Sequence, residues 1–229
     1  MADIDDLDIA IYRDAAELTE VTVDEALEEI RIGLEERGIF HLALTGGTIG
    51  IAIAKEIAKY VSTGEWPGLH IWWSDERFVD LNSEERNDLE VAKLINAESG
   101  VTLHRAAGSG DINVAAENLE NEIHNIEMDL NILGVGPDGH IASLFPNAIH
   151  EDEKREVFAI TNSPKPPAQR ITFSLQKINS SKEIWVIASG ESKADAIQGF
   201  IEGEMNLPVS HVNATRLLVD AAAFGVDSE

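Results

Sequence analysis

Residues Asp129–Pro146 read D-L-N-I-L-G-V-G-P-D-G-H-I-A-S-L-F-P, and this stretch decides the fold. It opens as an apolar run, Leu130 to Val135, short enough for a strand buried on both faces. It then breaks into a turn, Gly136-Pro137-Asp138-Gly139, that sets Asp138 and His140 two residues apart. Glycines on both sides free the backbone and let a ligand come close. An open α/β sheet binds its ligand at the carboxyl ends of its strands, so a carboxylate and an imidazole at such an end are candidate chemistry. A plain strand end with a turn Asp and a surface His fits the same residues.

Working outward, three other apolar runs end in a comparable way. Ile39–Leu44 runs into Thr45-Gly46-Gly47-Thr48-Ile49-Gly50, with helical spacing over Ile51–Val61. Strand, Gly-rich turn and helix aim backbone N–H groups at an anion, although the turn is neither a P-loop nor G-x-G-x-x-G, and tight connections often look the same. Leu69–Trp73 ends in Ser74-Asp75-Glu76-Arg77-Phe78. Glu76 is expected in a solvated loop with an internal ion pair, whereas the Arg77 guanidinium suits bidentate phosphate binding. Ile184–Ser189 ends in Gly190-Glu191-Ser192-Lys193, which opens a helix through Phe200. Lys193 in a first helical turn opposes the helix dipole, a placement that a bound anion would offset. A parallel sheet makes these four strand ends neighbours, gathering an anion nest, a guanidinium, an ammonium, carboxylates and a His.

The remaining segments read as scaffold. Ile9–Tyr12 is a weak strand, Thr22–Glu25 a capping box opening a helix that Gly38 ends, and His41 a packed core histidine. A helix is expected over Leu89–Ile95, a loop over 100–111 and an amphipathic helix over Ile112–Ile126. Strands follow at Val157–Ile160, Ile171–Leu175 and Thr215–Val219, with Leu207-Pro208-Val209-Ser210 before the last. The segment Ser163–Arg170 carries three prolines and two cations, Lys165 and Arg170, and suits a rigid wall or lid. The fold class expected is a single three-layer α/β/α domain with a mostly parallel, Rossmann-like open sheet.

Composition excludes other classes. The 229 residues contain no Cys, which removes disulfides, thiolate metal sites and cysteine nucleophiles. There are 17 Lys and Arg against 42 Asp and Glu, a net charge of −25, so neither nucleic acid nor an anionic membrane is an expected partner. Such a field would also repel a phosphorylated substrate, so an anionic ligand requires the few basic residues to be concentrated where it sits; alternatively the charge serves solubility or tolerance of salt and has no bearing on the ligand. No apolar run nears the roughly 20 residues of a membrane span. Met1–Asp6 is acidic and unlike a signal peptide, which leads to a cytoplasmic expectation. No G-x-S-x-G, H-E-x-x-H or EF-hand spacing occurs, so neither a serine hydrolase nor a metal site is expected.

Taken together, Gly134–Pro146, Ser74–Arg77 with Asn87 downstream, Lys165–Thr172 and Gly190–Lys193 resemble the family of 6-phosphogluconolactonases and glucosamine-6-phosphate deaminases. The resemblance spans nearly the whole chain and favours the lactonase branch. Deaminases look like D-G-H-I-A-F-N-E-P, with a Glu after the His, and tend to carry Asp-Glu-Tyr. This chain has Ser143-Leu144-Phe145-Pro146 and Asp75-Glu76-Arg77 instead. One departure is Ile49-Gly50, where the family often has Thr-Pro, so a hydroxyl is missing from the turn.

The resemblance implies hydrolysis of 6-phospho-D-glucono-1,5-lactone with no metal or organic cofactor. It assigns His140 as the base that activates water and Asp138 as its orienting group, with a purely structural turn role for Asp138 as the alternative. Gly46, Gly47, Thr48, Asp75, Arg77, Arg170 and Lys193 would bind the substrate and its phosphate, Arg170 also being a candidate oxyanion donor. A monomer or weak homodimer is expected. A sugar-phosphate deaminase or isomerase on the same fold, and a non-catalytic sugar-phosphate sensor, are the other classes the sequence leaves open.

Overall fold

A computed structural model describes residues 7–226; the acidic segment Met1–Asp6 lies outside the described residues. In chain order it begins β1 (Asp8–Tyr12), α1 (Ala15–Arg37), β2 (Phe40–Leu44), α2 (Gly47–Val61), β3 (Leu69–Trp73), β4 (Asp75–Arg77), α3 (Leu89–Leu94) and β5 (Thr102–Leu103). It continues with α4 (Ile112–Ile123), β6 (Leu130–Gly134), β7 (Val157–Ile160), β8 (Arg170–Phe173), α5 (Leu175–Asn179), β9 (Glu183–Ala188), α6 (Ala194–Ile201), β10 (Arg216–Asp220) and α7 (Ala221–Phe224).

Seven strands form one sheet in the order β1-β10-β9-β6-β2-β3-β5, and every pairing in it is parallel. The core explains why. Successive residues of each central strand point to opposite faces, and both faces are covered. Ala43, Leu133, Val186 and Leu217 pack with α4 and α6 on one side. Leu42, Leu44, Ile132, Trp185 and Leu218 pack with α1 and α2 on the other. These strands are therefore apolar throughout rather than alternating, and the α/β/α expectation holds.

Four local expectations need correction. The first helix starts at Ala15, not near Thr22: Asp14 is its N-cap and accepts the N–H groups of Ala16 and Glu17. Asp14 and Glu17 repeat the cap spacing eight residues upstream, while Thr22 lies buried inside the helix. The helix presents Leu18, Thr22, Val23, Ala26, Leu27 and Ile30 as its buried stripe, so burial of the first turns decides the boundary. Within the segment expected as loop, Thr102–Leu103 adds a two-residue edge strand to β3.

Next, the strands expected at 157–160 and 171–175 do not join the parallel sheet. With β4 they form a separate antiparallel sheet in the order β4-β8-β7, in which Arg77 pairs Arg170 and Asp75 pairs Thr172. Ser74 is the hinge between the sheets: its N–H reaches Leu44 and its carbonyl takes the Phe173 N–H. The small sheet thereby carries Asp75 and Arg77 away from β3 and presents Arg170 beside them. Finally, Gly190–Lys193 forms a separate 3-10 turn, and Lys193 is the N-cap residue of α6 rather than part of its first turn.

Candidate active site

A cavity of about 620 Å³ opens at the carboxyl ends of β9, β6, β2 and β3, which are adjacent in the sheet. Gly46, Gly47, Thr48, Asp75, Arg77, His140, Arg170 and Lys193 all line it, so the residues singled out from four separate strand ends converge. Asp138 stands behind the wall, in contact with His140.

The turn after β6 builds the central pair. Gly136 N–H donates to the His140 carbonyl, Gly139 N–H to that of Gly136, and Gly139 has φ +75°. Gly136 is required for space: a Cβ there would sit 1.8 Å from His140 Nδ1 and 2.7 Å from Asp138 Oδ1. His140 Nδ1 lies 2.5 Å from Asp138 Oδ1, which selects the tautomer with its proton on Nδ1. Nε2 then has no protein partner among the described residues. Lys165 Nζ reaches the same Asp138 oxygen at 3.1 Å and lies 3.0 Å from His140 Nδ1.

Electrostatics suit a base. Burial lowers the His140 pKa, the Asp138 carboxylate works to raise it, and the Lys165 charge adds to the lowering. Net, the imidazole is neutral near pH 7. Burial alone would raise the Asp138 pKa, but the hydrogen bonds from His140 and Lys165 hold it at about 2. The Phe145 ring stacks on His140 with centroids 4.8 Å apart and contributes an apolar surface to that burial.

A cationic side faces this pair. Helix α2 begins at Gly47 with φ +77° and has no side-chain cap, leaving its first N–H groups directed as an anion nest. Thr45 fixes the turn: its Oγ1 accepts the Gly134 N–H, joining the ends of β2 and β6. Gly50 fits under Thr45, where a Cβ would come within 2.5 Å of Cγ2. Ile49 packs on the α1–α2 core instead of offering a hydroxyl. Opposite, buried Asp220 accepts the Ser189 hydroxyl at 2.5 Å and the Gly190 N–H at 2.9 Å, fastening the loop that carries Lys193. Burial and the nearby Lys165 charge lower the Lys193 pKa, a strain an anion would relieve.

The third wall comes from β4 and its neighbours. Asp75 is buried and accepts the Ser143 hydroxyl at 2.6 Å, with Arg170 Nη1 at 3.6 Å. The other Arg170 nitrogens hold the carbonyls of Lys165, Pro166 and Pro167. Arg170 thus shapes the proline loop that brings Lys165 to Asp138; of the segment expected as a rigid wall or lid, Arg170 alone among the described residues lines the cavity. The Glu76 expectation holds for an ion pair, with Arg86 Nη2 at 3.7 Å, but its solvated loop is overturned. Rather than lying in a solvated loop, Glu76 is 3% exposed, and its carboxylate accepts the N–H groups of Arg77, Asn87 and Asp88.

Sequence reasoning missed the structural use of Lys165, the Asp220 clamp and the wall made by Ala15, Ala16 and Thr19 at the start of α1. The sequence signal for Lys165 was its place among prolines. Asp220, directly after an apolar strand, carried none beyond a helix cap.

Fold and site together define an α/β protein with a polar, cation-lined cavity at the carboxyl ends of its parallel strands and a part-buried His140 in its wall. The chain belongs to the family described as glucosamine-6-phosphate isomerases/6-phosphogluconolactonase, which it matches over residues 13–219. It is 31% identical over 226 residues to a 6-phosphogluconolactonase of Mycobacterium leprae, covering 91% of this chain and 92% of that one. A 6-phosphogluconolactonase of Mycobacterium tuberculosis is 33% identical over 213 residues, covering 85% and 86%. Among solved structures, a 6-phosphogluconolactonase from Thermotoga maritima superposes with a TM-score of 0.82 at 24% identity, covering 93% and 98% of the two chains. A monomeric glucosamine-6-phosphate deaminase shares the fold at a TM-score of 0.79 and 18% identity.

Proposed function

We propose that this protein hydrolyses 6-phospho-D-glucono-1,5-lactone to 6-phosphogluconate, the lactone-opening step of the oxidative pentose phosphate pathway. The observation that carries the reading is the His140–Asp138 pair: a neutral imidazole, oriented through Nδ1, with Nε2 left for substrate or water. Nε2 takes a proton from water as the water oxygen attacks the lactone carbonyl, and the carbonyl π electrons move to oxygen. Backbone N–H groups of the glycine turns stabilise that oxyanion. Collapse re-forms the carbonyl and breaks the bond to the ring oxygen, which receives the proton from His140. Asp138 stabilises the imidazolium between these steps.

Thr48, Arg77, Lys193 and the open N–H groups of α2 hold the phosphate, positioning the lactone without joining in bond breaking. The placement of cations also answers the charge problem: within a molecule of net charge −25, Arg77, Arg170 and Lys193 line one cavity, with Lys165 bonded to Asp138 behind its wall. Phe145 stands where the deaminase pattern places its Glu, and it offers His140 an apolar ring instead of a second carboxylate. That favours the lactonase branch. No helix among the described residues is long and apolar enough to cross a membrane. We place the reaction in the cytoplasm, where a phosphorylated sugar is retained.

The test is lactone hydrolysis followed against its spontaneous opening. Catalysed opening with no ammonia release from glucosamine 6-phosphate supports the reading. Ammonia release, or sugar-phosphate binding without turnover, would replace it with the deaminase or sensor alternative.

A further inference from the structure

Arg77 lines the cavity, yet its side chain is held by groups outside the cavity. Its Nη1 donates to the Glu85 carbonyl at 2.5 Å, so the loop from Val79 to Asp88 fixes the guanidinium end. The same loop is anchored two residues further on. Glu76 Oε1 accepts the Asn87 N–H at 2.9 Å and the Arg77 N–H at 2.7 Å, and Oε2 accepts the Asp88 N–H at 2.9 Å. Asn87 in turn donates to the Asp75 carbonyl at 2.9 Å and fills the space beneath Gly46, where a Cβ would lie 2.2 Å from its Oδ1.

We infer that Glu76 is a positioning residue for the substrate phosphate: its carboxylate fixes both ends of the Arg77 side chain, one through the backbone and one through the loop carrying Glu85. This rests on the reading of Arg77 as a phosphate ligand. A carboxylate in this place is suited to the task because one group accepts three N–H donors from two segments, β4 and the returning loop. The deployment is specific, since Arg86 is committed to Asp88 by two hydrogen bonds, at 2.8 and 2.6 Å, and stands 3.7 Å from Glu76. Arg105 likewise pairs with Asp88 at 2.8 and 2.9 Å. Among the described residues no cation is bonded to Glu76 alone, and the N–H groups are its principal partners.

The clamp is also pH-sensitive. Burial and the negative charge of Asp88 push the Glu76 pKa up to about 7, against the opposing pull of Arg86 and the N–H bonds. The groups facing it are Asp88 and Arg86 from the loop, Arg105 beyond β5, Arg170 from β8 and His104 across a small void. Protonation turns an acceptor oxygen into a donor facing N–H groups, so the loop loosens as pH falls through about 7.

The experiment is calorimetric binding of 6-phosphogluconate from pH 6 to 8.5 to wild type, Glu76→Gln and Arg77→Ala, with KM and kcat for the lactone alongside. Wild-type affinity should fall on acidification by more than the phosphate's own ionisation near pH ~6 explains. Glu76→Gln should bind about fivefold or more weakly at pH 8, keep only the phosphate's pH dependence, and raise KM with kcat within about twofold. A folded Glu76→Gln protein with wild-type affinity and pH profile overturns the inference while leaving the phosphate site intact. Unchanged binding by Arg77→Ala instead overturns the phosphate assignment itself. Should Glu76→Gln not fold, Asp88→Asn must move the wild-type inflection to lower pH, and an unmoved inflection overturns the inference.

Discussion

The ring of Phe145 stacks on that of His140, with centroids 4.8 Å apart and planes 22° from parallel. One face of the imidazole is thereby closed to water while Asp138 holds its edge at 2.5 Å. Burial lowers the His140 pKa and the carboxylate limits the fall, so the imidazole is neutral at physiological pH, the form that the proposed base role requires.

Phe145→Glu puts a carboxylate against that ring. It should raise the His140 pKa, move the acid limb of the kcat profile to higher pH, and lower kcat at pH 7 by roughly tenfold. A pH–rate series on the two proteins checks this. An unmoved acid limb would separate Phe145 from the basicity of His140.

Asp138→Ala removes both the orienting acceptor and the anchor of Lys165. The imidazole loses its fixed tautomer and the carboxylate that works to raise its pKa, so that pKa should fall further. The expected result is a kcat about 10²-fold lower with 6-phosphogluconate binding changed little. Steady-state kinetics with calorimetry tests it; wild-type kcat would leave Asp138 with the turn role alone.

Gly136→Ala tests the geometry rather than the chemistry. A Cβ 1.8 Å from His140 Nδ1 must displace the ring or the turn. Activity should fall at least about 10²-fold, the scale of a misplacement near 1 Å, while circular dichroism remains that of wild type. Retained activity would mean that the turn relaxes without moving His140.

Away from the cavity, His41 marks an acid-sensitive part of the sheet. Burial and the neighbouring His70 lower its pKa to about 4, and Trp72 Nε1 donates to its Nδ1 at 3.1 Å. A depressed histidine pKa means that the unfolded chain binds the proton more readily. Its contribution is therefore present above the unfolded pKa of about 6.5 and is lost as pH falls toward 4. His41→Asn should flatten the decline of Tm between those pH values. A scan with unchanged slope would assign the decline to other groups.

Much of this was legible in the chain because the relevant signals are local. The run from Leu130 to His140 states a buried strand and a turn in adjacent residues, and the Gly46-Gly47 turn does the same between β2 and α2. The parallel order of those strands then follows from their apolar faces. What was not legible depends on chain returning from a distance. Glu76 looked solvent-facing because nothing nearby in sequence announces that Asn87 and Asp88 fold over it. Lys165 meets Asp138 only because β7 and β8 form an antiparallel pair, and short strands of similar composition do not declare which sheet they join. The start of α1 was missed for an energetic reason: two cap-like patterns compete, and burial of Leu18 and Thr22 settles the choice.

The central claim is that His140 is the base, and His140→Ala measures it directly. With spontaneous lactone opening subtracted, kcat should fall about a hundredfold or more while 6-phosphogluconate binds with near wild-type affinity. A folded His140→Ala protein that opens the lactone at the wild-type rate would contradict the account.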